Sequence, residues 1–285
     1  MRFLIVGLLI VSLSTARADE KDEMAAKQKA AAITVLKKLD VKSPAVVETA
    51  DLLVCGNLPE ERLKAMAEPM QKQYAAIMKL LKFEMTENPP KGKLTVYFFP
   101  ERKQYSLFVS EVVNDRLEKD ERAHCSALGT EPFVAVSVLP GEKPTDLDAE
   151  ATTQLAVVLL QAKAGVAKLP FWMEEGFAKA VKWRTDPRLV GERTKARALF
   201  LAKTGKYKAA DAWTATADKD RPLIAGLVMD YLAFGPQAGN FGKLLSAFRV
   251  PEGDPKPGLD AVLMGVDLTA DKLDAAVRKW LLTGK

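Results

Sequence analysis

Residues 149–184 read AEATTQLAVVLLQAKAGVAKLPFWMEEGFAKAVKWR. From Ala151 to Ala164 apolar residues fall on nearly every side of a helical wheel, which predicts a buried helix. Leu169-Pro170 then starts a second helix, because proline suits the first helical turn. That helix carries Trp172 and the run Glu174-Glu175-Gly176.

Upstream of this pair the pattern changes. Val46 to Val54, Leu94 to Phe99 and Phe133 to Val138 are rich in apolar and β-branched residues and predict three strands. The first ends at Gly56-Asn57, the last at Pro140-Gly141. A surface helix rich in Ala and Lys is predicted over 20–39, and further helices from Pro59 to Leu81 and over 102–113. In the helix from Pro59, Leu63, Met66, Met70, Tyr74, Ile77, Leu80 and Leu81 recur at helical spacing as core residues. Asn88-Pro89-Pro90-Lys91-Gly92 is a turn. Residues 114–130 are polar and irregular and contain His124, Cys125 and Gly129.

Downstream no strand is predicted. Helices are expected near 146–164, 171–184, 190–204, 221–234, 240–248 and 269–282, with a Pro/Gly-rich break from Val250 to Gly258. Thr269 is placed to cap the last helix. The fold class is therefore α+β, with a small N-terminal sheet and its helices followed by a mainly helical C-terminal half. No internal repeat or low-complexity tract interrupts it.

The chain opens with MRFLIVGLLIVSLSTARA. Arg2, the apolar run Phe3 to Leu13 and the small-x-small Ala16-Arg17-Ala18 read as a secretory signal cleaved after Ala18. The run is too short for an ordinary membrane span, and no other long apolar run exists. Export, to the periplasm or the medium, is expected. Cleavage removes Arg2 and Arg17, so the formal charge falls from +5 to +3. A charge this mild, with no basic stripe interleaved with aromatics, does not suggest nucleic acid. Cys55 and Cys125 are the two cysteines. Export permits a disulfide between them; two separate small apolar residues are the other reading.

The order of buried helix, short link and LP-x-W-x-x-EG-x-A resembles the active-site region of the gluzincin zinc peptidases, specifically the peptidase MA-like family. The stretches ETADLLVCGNLPEERL, GKLTVYFFPERKQYSLFV and GVDLTADKLDAAVRKWL are similar to other parts of that family. The resemblance implies a gluzincin-like fold over 46–285, with an α+β part at 46–145 and a helical part at 146–285. Residues 1–18 and 19–45 precede it as signal and leading helical segment. In that family HExxH on the buried helix binds zinc through its two histidines, and its glutamate activates water. The glutamate of the EG pair is the third ligand.

Here the HExxH window falls on Thr153-Gln154-Leu155-Ala156-Val157, and the EG pair is Glu175-Gly176. Thr153 offers a neutral hydroxyl, a poor zinc ligand. Gln154 replaces the general base with an amide, and Val157 has no donor atom. The chain has a single histidine, His124, so no register of the motif supplies two. Lys179 and Ala180 stand where the resemblance implies an acidic and an aromatic residue. No metal and no other cofactor is expected, and the resemblance is to a degenerate, non-catalytic member.

The expected function is an exported pseudopeptidase that binds extended polypeptide, or another exported protein, along the former substrate cleft. The resemblance places Phe133, Ala135 and Ser137 along the peptide-pairing strand, and backbone pairing needs no zinc. The alternative is a structural or assembly domain whose cleft is filled by side chains. A third reading uses Glu174 or Glu175 as an acid or base. Trp172 is expected to be a packing residue, and Glu175 a helix-surface or capping carboxylate. His124 is expected to be exposed or loosely packed. His124-Cys125 forms a base–thiol pair only if neighbouring side chains can meet.

Overall fold

The computed structural model describes residues 23–83, 92–127, 131–139, 141, 147–165, 167–186, 188, 191–214, 219–249 and 257–283. The signal sequence at 1–18, the turn from Asn88 to Lys91, Gly129, Pro140 and most of the break from Val250 to Gly258 lie outside them. The fold is α+β, as expected. The described residues fall into two compact units, one drawn from 23–71, 92–124 and 131–151, the other from 72–83, 125–127 and 152–283.

The first unit is built on a sheet of five strands: β1 (Ala45–Glu48), β2 (Leu52–Gly56), β3 (Leu94–Phe99), β4 (Ala123–Ser126) and β5 (Phe133–Ser137). Their order is β1-β2-β3-β5-β4. β1 is antiparallel to β2, whereas β2–β3 and β3–β5 are parallel. Parallel neighbours need a crossover, and α2 (Glu60–Leu80) supplies the one from β2 to β3.

Cys55, Tyr97 and Ala135 are register partners across β2, β3 and β5. Strand alternation puts them on one face, together with Phe99. That face packs with Leu36 and Leu39 from α1 (residues 23–38) and its C-terminal turn. Tyr105 of α3 (Arg102–Leu107) and Phe108 of the π-helical turn Phe108–Val113 complete the cluster. The leading helix lies at the surface, as expected, but also gives one face to this core. Val54, Val96, Phe98, Val134 and Val136 alternate with this set and are fully buried too. Both faces are covered, as an apolar parallel sheet requires. Gly56 is needed at its position, because a Cβ there would lie 2.2 Å from the Phe98 carbonyl oxygen.

The structure corrects two sequence readings. The single strand expected from Val46 to Val54 is a hairpin. Gln71 of α2 holds its turn: Gln71 Oε1 accepts from Asp51 N at 3.0 Å and lies 2.7 Å from Thr49 Oγ1. Gln71 Nε2 donates to Asp51 Oδ2 at 2.7 Å. The second correction is β4, which forms inside the segment read as irregular, at the outer side of β5.

The second unit contains α4 (Leu147–Ala164) from Thr152 onward, α5 (Phe171–Thr185), α6 (Glu192–Lys203), α7 (Asp211–Thr214) and α8 (Arg221–Phe234). It continues with α9 (Phe241–Ala247), α10 (Leu259–Met264) and α11 (Ala270–Thr283). The six expected helices are present; α7 and α10 are short additions. Thr269 caps α11, its hydroxyl accepting from Lys272 N at 3.2 Å. α5 and α8 pack closely because glycines line their contact. A Cβ on Gly176 would lie 2.4 Å from the Ala225 carbonyl oxygen, and one on Gly226 2.7 Å from the Trp183 ring.

Candidate functional site: a helix pair without a ligand set

α4 carries Thr153, Gln154 and Val157, and it also carries Gln161. Residues 154, 157 and 161 recur at spacings of three and four and so share a helical face. Val157 is buried, and Thr153 and Gln154 are half-buried. Gln161 makes the connection that the sequence reading missed. Its Nε2 donates to Glu174 Oε1 on α5 at 2.8 Å. Its Oε1 accepts from Ala127 N, just past β4, at 3.3 Å. One amide thus ties the exit of β4, the buried helix and the acidic helix together. Its signal in the sequence was its place one turn beyond Val157.

The two glutamates have different environments. Glu174 is turned toward Gln161, and burial raises its pKa above the usual carboxylate range, with the Gln161 hydrogen bond opposing. Glu175 is turned toward α8, where Arg221 Nη2 lies 2.9 Å from its Oε2. That oxygen is out of water, and the contact is an ion pair outside hydrogen-bond geometry. Lys179, one helical turn on, is also near. Burial lowers the Lys179 pKa, and the charge of Glu175 works against that lowering. Glu175 therefore sits beside two cations, and it is not an isolated surface or capping group.

This donor set does not fit zinc. A site needs three protein ligands with lone pairs to spare. Val157 offers hydrocarbon and Thr153 a neutral hydroxyl, and Glu175 is engaged by a guanidinium. Among the described residues no group of three or more His, Cys, Asp and Glu side chains could hold a metal ion.

Phe133, Ala135 and Ser137 are on β5, but β5 is not an open edge. β3 lies on one side and β4 on the other. Ala135 and Ser137 are buried, and Ser137 N donates to Arg122 O at 2.8 Å. The expectation that a peptide pairs directly along β5 is corrected on this ground: the outer position is taken by β4. Ala123-His124-Cys125-Ser126 has weak strand propensity, so β4 carries little local signal.

His124 is neither exposed nor loosely packed. Its ring stacks on Phe133 with centroids 6.1 Å apart. Its Nδ1 lies 3.1 Å from Glu121 Oε1, which also accepts from Tyr105 Oη at 3.1 Å. His124 and Cys125 are consecutive in a strand, so their side chains leave on opposite faces and cannot form a base–thiol pair.

Both cysteines are thiols. Cys55 is on β2, and β3 and β5 separate that strand from β4, which holds Cys125. Three strand spacings of about 4.8 Å exceed the reach of a disulfide, whose Cα atoms lie within roughly 7 Å. The Cys55 thiol is fully buried, and burial pushes its pKa up. Trp172 is a packing residue as expected, tilted against Trp213 at a ring distance of 5.3 Å.

Comparisons with family models, with curated proteins and with solved structures yield no match.

Proposed function

We propose that this chain is an exported, non-catalytic relative of the gluzincin peptidases. The observation that carries this reading is the pairing of Glu175 with Arg221 at 2.9 Å. The carboxylate that the resemblance assigns to zinc is engaged by a cation instead. The residues aligned with the other ligands carry no histidine. Thr153, Gln154, Val157 and Glu175 support the reading through what their side chains can chemically do.

The function proposed for the scaffold is binding of extended polypeptide by strand addition. The relevant strand is β4, which ends the sheet, rather than β5. A second reading, an assembly domain, is favoured by Gln161, whose amide is spent on hydrogen bonds to Ala127 and Glu174.

Two measurements test the proposal. Metal analysis of the purified mature protein, with a general peptide-cleavage assay, is expected to give neither stoichiometric zinc nor turnover. Stoichiometric zinc with turnover overturns the non-catalytic reading. Fluorescence anisotropy with labelled casein, an unfolded polypeptide, is expected to show saturable micromolar binding. No association at high micromolar concentration leaves the assembly reading. Export is tested by the mass of the mature protein, expected to begin at Asp19.

A further inference from the structure

The second unit contains a cavity that the peptidase resemblance does not involve. It lies among α5, α6, α8 and α11 and has a volume of about 400 Å³. That is within the range of small-molecule sites, roughly 300–1,000 Å³. Its wall is mostly apolar, with Trp183 and Trp280 supplying two indole surfaces and Leu223 and Leu227 supplying aliphatic ones.

Three charged side chains line the same space: Arg184, Lys195 and Asp230. The two cations against one carboxylate leave a single positive charge. Arg184 Nε donates to Asp230 Oδ1 at 2.6 Å. The Arg184 guanidinium also lies over the Phe234 ring, 5.8 Å from its centroid. Asp230 is largely buried, its side chain 13% exposed. It therefore fixes the guanidinium through the Nε donor. Among the described residues neither terminal Nη group of Arg184 has a protein acceptor. Lys195 is exposed.

We propose that this cavity binds a small amphipathic carboxylate, an aromatic or medium-chain acid. The apolar body lies between Trp183 and Trp280, and the carboxylate takes the Nη donors of Arg184. Such an acid complements the cavity in shape and charge. A planar guanidinium offers two parallel donors that match a carboxylate. The spare charge is one, which a monoanion neutralises. The wall is too apolar for a sugar or a nucleotide, whose polar groups would lose water without gaining partners. Asp230 is a positioning residue that holds Arg184 in place. The proposal is independent of the polypeptide reading.

Isothermal titration of the mature protein with decanoate, and separately with the neutral decanol, tests it. Saturable one-to-one binding of decanoate is expected, with decanol at least tenfold weaker. Arg184→Gln is expected to weaken decanoate about tenfold or more. That substitution also leaves Asp230 without its partner, so a second variant keeps the test decisive. Leu199→Glu places a like charge on a lining residue that is 37% exposed and tolerates polarity. It is expected to weaken decanoate while leaving decanol little changed. Ala198→Phe fills the cavity and is expected to abolish both. No decanoate binding, equal affinity for the alcohol and the acid, or binding that survives Ala198→Phe would each overturn the proposal.

Discussion

Glu175 of α5 and Arg221 at the start of α8 form an ion pair at 2.9 Å, although they are far apart in sequence. Their side chains are only 26% and 19% exposed, so water screens the pair incompletely. A partly buried carboxylate held this way is committed. Removing Glu175 leaves Arg221 without this anion, and removing Arg221 leaves Glu175 only Lys179; either loss costs about 1–3 kcal/mol.

That commitment predicts how the proposed degenerate metal site responds to repair. Thr153→His, Gln154→Glu and Val157→His together restore the ligand types that the resemblance requires. With Arg221 present, the triple variant is expected to take up zinc weakly, because Glu175 must first leave its cation. Adding Arg221→Ala is expected to strengthen zinc binding at least tenfold, read by competition with a chromogenic chelator. Failure of the quadruple variant to bind zinc at all would sink the gluzincin assignment.

Glu174 gives a pH prediction. Burial raises its folded-state pKa above the unfolded value, and the Gln161 bond only partly offsets that. The folded protein then holds more protons than the unfolded chain through this window. Stability attributable to Glu174 is fully present below the ordinary carboxylate pKa and is lost as pH rises through the raised one. Glu174→Gln keeps an oxygen that can accept from Gln161 and removes the charge. The variant is expected to be more stable than the parent near neutral pH and to lack that fall. Urea titrations across the acid range check this.

Much of the fold was legible because local signals agreed with the packing. α4 is apolar nearly all round, and Pro170 and Thr269 mark helix starts. The hairpin in 45–56 was not legible, because its turn is held by Gln71 from another element. β4 escaped for the same reason: its residues form a strand only where β5 offers an edge. At the candidate site the EG pair drew notice to Glu175, yet its partner Arg221 lies on a later helix. The role of Gln161 depends on contacts at Ala127 and Glu174 that no spacing encodes.

The thiols give a third prediction. With two strands between β2 and β4, the purified protein is expected to have the same mass with and without reductant. Ellman's reagent is expected to titrate both cysteines only after unfolding. Cys55 is expected to stay silent in the native state, because a fully buried thiol with a raised pKa supplies almost no thiolate. A disulfide between Cys55 and Cys125 found by peptide mapping would contradict the sheet order.

Gly176 gives the fourth prediction. In the peptidase resemblance this glycine belongs to a catalytic signature, which suggests that it matters only for chemistry. The structure gives it a packing role that is independent of catalysis. A Cβ at this position would lie 2.4 Å from the Ala225 carbonyl oxygen and 2.8 Å from Met229 Cγ. The methionine can swing aside, but the backbone oxygen cannot. Gly176→Ala must push α5 and α8 apart, disturbing Phe177, which packs on Phe234 and Phe241 at 5.5 and 6.2 Å. Helix propensity favours alanine by about 1 kcal/mol, whereas overpacking costs about 1–3 kcal/mol. With backbone as the obstacle the upper end of the overpacking cost applies, and a net loss of about 2 kcal/mol is expected by urea denaturation. Ala225→Gly would not rescue it, because the obstructing atom is main chain. A Gly176→Ala variant as stable as the parent would show that the close contact of α5 with α8 is not required.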